Sequence, residues 1–192
     1  MCFTIRGVVM YGMVNRALAE MIAAEHGTAV WQDIRSAAAI DVVEFHAMTQ
    51  YPDESTVALI GAASARLGLD HAVLLRRLGH YWITYTAKEG YGDLLKLGGG
   101  SFTSFLQNLD AMHARVGLSF PDLRPPSFCC TEVTEDSLTF HYYSERPGLT
   151  DLVLGLLHGL GDLFGITVDV TPTALKAAGA DHDTFHVTYA AR

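Results

Sequence analysis

The stretch LRPPSFCCTEVTEDSLTFHYYSER, residues 123 to 146, decides the fold, because the spacing of apolar residues changes there from helical to alternating. Pro125 and Pro126 cannot continue a helix, and the strand-like runs that follow are separated by the acidic turn Thr134-Glu135-Asp136. That pattern predicts an antiparallel hairpin. Downstream, ITVDVTP and HDTFHVTYAA alternate in the same way, and between the two pairs GLTDLVLGLLHGLGDLF has helical spacing. A four-stranded antiparallel sheet with one inserted helix follows.

Upstream of the hairpin everything reads as helix. SFTSFLQNLDAMHARVG, residues 101 to 117, follows a GGG break, with Ser101 or Thr103 placed to cap it and Gly117 placed to close it. From Val14 to Ala38 the helical spacing is divided by Gly27, and from Asp53 to about Gly98 the chain predicts three or four short helices. There Asp53, Ser55 and Asp70 are cap signals, and Gly61, Gly68 and Gly79 punctuation. A helical N-terminal half followed by such a sheet is an α+β fold.

Composition narrows the function. The 192 residues are 49% hydrophobic and carry 13 basic against 21 acidic side chains, a net of -8, with no basic cluster for a phosphate backbone. Nucleic acid is therefore not an expected partner. No run approaches the ~20 apolar residues of a membrane span, and the N-terminus lacks a secretory pattern, so a cytoplasmic protein is expected. Cys2, Cys129 and Cys130 form neither a disulfide framework nor a zinc spacing. Nucleophile-elbow, phosphate-loop and paired-histidine motifs are missing, which argues against an enzyme.

Two groups of residues can carry chemistry. On the 101–117 helix Phe102, Phe105, Leu106, Leu109, Met112, His113 and Val116 share one stripe, placing His113 on the apolar side. Such a histidine is most often a satisfied core residue; the other reading is a metal ligand. A single ligand cannot make a zinc site, but it suffices for heme, whose porphyrin supplies four nitrogens. In the second group, strict alternation puts Leu138, Phe140, Tyr142, Ser144 and Arg146 on one face. An arginine beside apolar neighbours needs an anion: either a local Asp or Glu, or the carboxylates of a ligand. Heme carries two carboxylates, its propionates.

Four segments in order, MYGMVNRAL, LQNLDAMHARV, RPPSF and YYSER, resemble the heme-nitric oxide/oxygen binding (H-NOX) family, which includes the sensor domain of soluble guanylate cyclase. GHYWITYT, GYGDLL and GLTDLVLGLLHGL add to the likeness, which covers nearly the whole chain from Met10. It implies an extension over residues 1–9 and a single heme domain over 10–192, with a helical subdomain to about 75 and the heme-ligating helix and sheet from about 76. Heme b (iron protoporphyrin IX) would lie between them. His113 corresponds to the axial ligand, Tyr142, Ser144 and Arg146 to the propionate clamp, and Pro126 to the proline packed on the porphyrin. Leu109 joins the heme contacts, and Val14, Leu18, Trp82, Leu152 and Leu156 correspond to distal pocket positions.

Leu152 stands where some members have an oxygen-holding tyrosine. The resemblance therefore implies a five-coordinate ferrous sensor that binds nitric oxide and carbon monoxide and excludes oxygen. It would signal by release of the iron–histidine bond to a histidine kinase or cyclic-dinucleotide enzyme. An oxygen or redox sensor on the same scaffold is the nearest alternative, and a non-heme enzyme a more distant one.

Overall fold

The computed structural model describes residues 9–86, 98–119 and 124–192; GYGDLL and any helix between 87 and 97 lie outside them, as do residues 1–8. The chain forms two compact units that meet in sequence between Leu78 and Gly79.

In the first unit a short ribbon pairs β1 (Val9–Tyr11) with β2 (Gln50–Pro52). Helices α1 (Met13–His26) and α2 (Thr28–Ala37) are separated where expected, at Gly27, whose φ of 90° suits a residue without Cβ. Helix α3 (Asp53–Leu67) ends at Gly68, which is left-handed at φ 63°, and α4 (His71–Thr86) follows. Leu18, Met21 and Ile22 of α1, Ile34 of α2 and Leu59 of α3 are almost fully buried. A buried polar bond crosses this core, from the Thr56 hydroxyl to Asn15 Oδ1 at 2.8 Å.

The second unit contains the end of α4, α5 (Phe102–Ser119), β3 (Ser127–Thr131), β4 (Ser137–Tyr143), α6 (Thr150–Phe164), β5 (Ile166–Ala174) and β6 (Asp183–Ala191). The four strands form one antiparallel sheet in the order β3-β4-β6-β5, with α6 carrying the chain from β4 to the far edge. Alternation works as read: Leu138, Phe140 and Tyr142 of β4 and Phe185 and Val187 of β6 are buried. They form one core with Phe102, Phe105, Leu106 and Leu109 of α5 and Val153, Leu154, Leu157 and Leu160 of α6. The expected α+β architecture is present. Among the described residues no single helix is long and apolar enough to cross a membrane.

Two local expectations are corrected, and one pair of alternatives is decided. Gly61 and Gly79 lie inside α3 and α4, and Gly117 lies inside α5, which runs on to Ser119. A helix-interior glycine costs only about 1 kcal/mol, which tertiary packing readily offsets. Ser101 is the cap of α5, accepting the Ser104 amide at 3.2 Å, while Thr103 is within the helix. The β4 strand ends at Tyr143, so Ser144 and Arg146 belong to the following loop and not to the alternating face.

Candidate functional site: the His113 helix and the end of β4

Helix α5 packs along β3, and His113 sits half-buried on the side toward the sheet, its ring centroid 5.0 Å from that of Phe128. His113 Nδ1 is 2.9 Å from the Leu109 carbonyl. A carbonyl only accepts, so Nδ1 carries the proton and, in the neutral ring, Nε2 keeps a free lone pair. Burial lowers the His113 pKa, outweighing the opposing effects of the Leu109 carbonyl and the Asp110 carboxylate. The ring is therefore neutral near pH 7, oriented by a backbone bond, with one nitrogen available to coordinate.

Asp110, one turn earlier, was not singled out by the spacing of apolar residues. Its Oδ1 accepts from the Ser127 hydroxyl at 2.7 Å and from the Phe128 amide at 3.0 Å, fastening α5 to the start of β3. Those two bonds hold its carboxyl below the usual range, the Phe128 amide contributing most. The signal in the sequence was weak, since an acid on an exposed helix face is ordinary until its partner 18 residues away is known.

Tyr142 is 6% exposed on the inner face of β4. Burial pushes its phenol pKa up, while the Ser144 hydroxyl and the Arg146 guanidinium pull the other way, so all three side chains act on one neighbourhood. The Ser144 hydroxyl accepts the Arg146 amide at 3.1 Å, forming a tight turn. Arg146 Nη1 donates to the Arg124 carbonyl at 3.2 Å, beside Pro125 and half-buried Pro126. The structure thus groups Tyr142, Ser144 and Arg146 and ties them to the proline segment.

Leu109 belongs to the same core, with Trp82 and Leu156 half-buried against it. Leu152 is half-buried on the first turn of α6. Val14 and Leu18 lie on α1 in the first unit, the former half-buried and the latter inaccessible. The vicinal cysteines diverge. Cys129 is exposed, whereas burial, followed by the neighbouring Cys129, pushes the Cys130 thiol up to about 11, leaving it protonated and inert.

Removing the Arg146 guanidinium tests the anion role directly. On the propionate role that the resemblance implies, Arg146→Ala should weaken heme retention by roughly tenfold to more than a hundredfold, the equivalent of one lost charge-assisted bond of about 1.5–3 kcal/mol. Competition with apomyoglobin measures it; a fall in thermal stability alone, with heme transfer unchanged, would assign Arg146 a purely structural role.

Comparison with known proteins agrees over most of the chain. A family model described as Haem-NO-binding matches residues 11–172. Soluble guanylate cyclase gcy-33 of Caenorhabditis elegans is 29% identical over 178 residues, which are 93% of this chain and 19% of that protein. The soluble guanylate cyclase subunit beta-2 of Rattus norvegicus is 34% identical over 91 residues, 47% of this chain and 13% of that protein. The chain thus spans about a fifth or less of these two relatives. An H-NOX protein from S. oneidensis in the Fe(II) ligation state has the same fold, with a TM-score of 0.86 at 19% identity over 94% of this chain and 96% of that one. An Fe(II)NO structure of an H-NOX protein from the same organism gives 0.85 over 94% and 99%. With the family model spanning residues 11–172, the chain belongs to the Haem-NO-binding (H-NOX) family of heme-based gas-sensor domains.

Proposed function

We propose that residues 10–192 form a nitric oxide sensor domain that holds heme b through His113 and excludes oxygen. The observation that carries this reading is the neutral, half-buried imidazole with Nδ1 fixed on Leu109 and Nε2 available. The donor set also suits the group. Tyr142, Ser144 and Arg146 supply hydroxyl and guanidinium donors for two propionates, and Pro126 and Leu109 supply apolar surface. When bound, heme supplies a ferrous iron with an open position for a diatomic gas.

Of the residues assigned to the distal side, Trp82, Leu152 and Leu156 belong to the second unit, and they bring one polar donor, the Trp82 indole. Leucine at 152 gives bound oxygen no hydrogen bond, at a cost of about 1.5–3 kcal/mol, whereas nitric oxide and carbon monoxide depend far less on such help. Output runs through α5. A change in the restraint on His113 reaches β3 by way of Asp110 and the Phe128 ring, and from there an effector such as a histidine kinase, a cyclic-dinucleotide enzyme or a cyclase domain.

An absorption spectrum of the reduced protein, before and after nitric oxide, tests the proposal. An intense Soret band that shifts with nitric oxide and carbon monoxide is expected, with no stable complex in air. Absence of a Soret band after heme addition would reject the cofactor, and a persistent oxygen complex would reject the selectivity.

A further inference from the structure

The outer face of the sheet carries two histidines that the heme reading does not use. His141 of β4 and His182, just ahead of β6, meet nitrogen to nitrogen, Nδ1 to Nε2, at 2.9 Å. Their far nitrogens are engaged too. The Thr131 hydroxyl is 2.8 Å from His141 Nε2, and the Asp181 carboxylate is 3.2 Å from His182 Nδ1. Tyr143 stacks on His182 with ring centroids 4.0 Å apart.

Proton positions follow from the acceptors. An ionised carboxylate cannot donate, so His182 Nδ1 carries a proton and the bare Nε2 accepts from His141 Nδ1–H, while His141 Nε2 accepts from the Thr131 hydroxyl. One continuous donor chain then runs from Thr131 through both rings to Asp181. It can take one more proton unbroken, because a protonated His182 donates through Nε2 to His141 Nδ1, with His141 Nε2–H turned to the Thr131 oxygen. A second added proton cannot be accommodated: both facing nitrogens would carry hydrogen, and two cations would meet at hydrogen-bonding distance.

The contact clasps a segment that braces the loop after β4. Lys176 Nζ donates to the Ser144 carbonyl at 2.8 Å, and the Lys176 amide donates to Asp183 Oδ1 at 2.7 Å. The Thr150 hydroxyl donates to Asp183 Oδ2 at 2.6 Å. Residues 176–183 therefore hold both ends of the 144–150 loop, which contains Ser144 and Arg146.

We propose that the His141–His182 pair is an acid-opened clasp: it closes with one or no added proton, and double protonation opens it, freeing residues 176–182, ahead of β6, from the end of β4. The neighbouring groups set its range. Cys129 is the ladder partner of His141, Glu132 acts on it from the turn after β3, Tyr143 and Asp181 flank His182, and Arg124, Glu145 and Lys176 line the adjoining cleft. Burial, then the charge of His182, lowers the His141 pKa, with Glu132 opposing. A histidine lowered on folding contributes stability that is present above its unfolded pKa of about 6.5 and is lost as pH falls through its folded value.

The test is an NMR titration of the full chain from about pH 8 to about pH 5, following both rings and the hydrogen exchange of the Lys176 amide. Two separate proton-uptake steps are expected, with His141 displaced below the ordinary histidine range. Lys176 exchange, corrected for its intrinsic pH dependence, should accelerate about tenfold or more with the second step. His182→Phe keeps a ring on Tyr143 but removes the nitrogens; in it His141 should lose the part of its lowering that His182 causes while the part due to burial stays, and the pH-dependent acceleration should vanish. Independent ordinary titration of both rings in the wild type, which needs no variant, overturns the clasp. So does Lys176 exchange indifferent to the second step.

Discussion

His113→Ala should purify as folded protein without heme. His113 is half-buried on α5, and its ring bonds only to Leu109 of the same helix among the described residues, so truncation leaves the remaining core contacts of α5 intact. On the proposed assignment the cofactor would lose its protein ligand outright. Disturbing a mere outer-shell partner of a metal ligand costs about 10- to 100-fold in affinity, and loss of the ligand itself should exceed that. Far-UV circular dichroism should match the wild type while the Soret band is missing, and free imidazole should restore the band by occupying the vacated space. Unchanged heme retention in the variant would remove His113 as the ligand.

Gly79→Ala should destabilise the protein and disturb α6. A Cβ at Gly79 would fall inside contact distance of the Leu152 carbonyl oxygen and 2.8 Å from the Leu156 amide nitrogen. On the other helix, Gly159 is also close to α4, though less tightly, its Cβ position 3.0 Å from the His80 carbonyl. These are backbone atoms, which cannot rotate away as a side chain can. Alanine would gain about 1 kcal/mol of helix propensity, but the forced separation of α4 and α6 should cost about 1–3 kcal/mol or more. A net fall in Tm of a few degrees is expected, at about 2–4 °C per kcal/mol for this size, with an altered visible spectrum if Leu152 and Leu156 line the gas site. A Tm equal to or above that of the wild type would show that the helices yield without cost.

Much of the second unit was legible because one face of its sheet is buried. Leu138, Phe140 and Tyr142 announce themselves by period two, and the turn at Thr134 to Ser137 is marked by its polar residues. Strand order was not legible: nothing local says that β4 lies beside β6, since that pairing joins residues more than 40 positions apart. The alternation also carried too far, because the Ser144 hydroxyl takes the Arg146 amide and turns the chain out of the ladder. The β1–β2 ribbon escaped notice because three residues a side are too few to show a period. Gly79 reads as a breaker in one dimension; its reason, a close helix crossing, exists only in three. Of the candidate site, residue types and likeness pointed to His113 and the Tyr142–Arg146 segment, whereas the Asp110 fastening and the histidine pair depend on partners distant in sequence.

The strand order has a kinetic consequence. Each of the hairpins β3–β4 and β5–β6 closes a short loop, but joining them into one sheet requires β4 to find β6 across the whole of α6. Loop-closure entropy makes that seam the slow event, so refolding should show early protection of amides bonded within the two hairpins and late protection of those that join β4 to β6. The seam beside Tyr142 would be the last to lock in place, so on the proposed assignment a newly made chain would acquire its cofactor only near the end of folding.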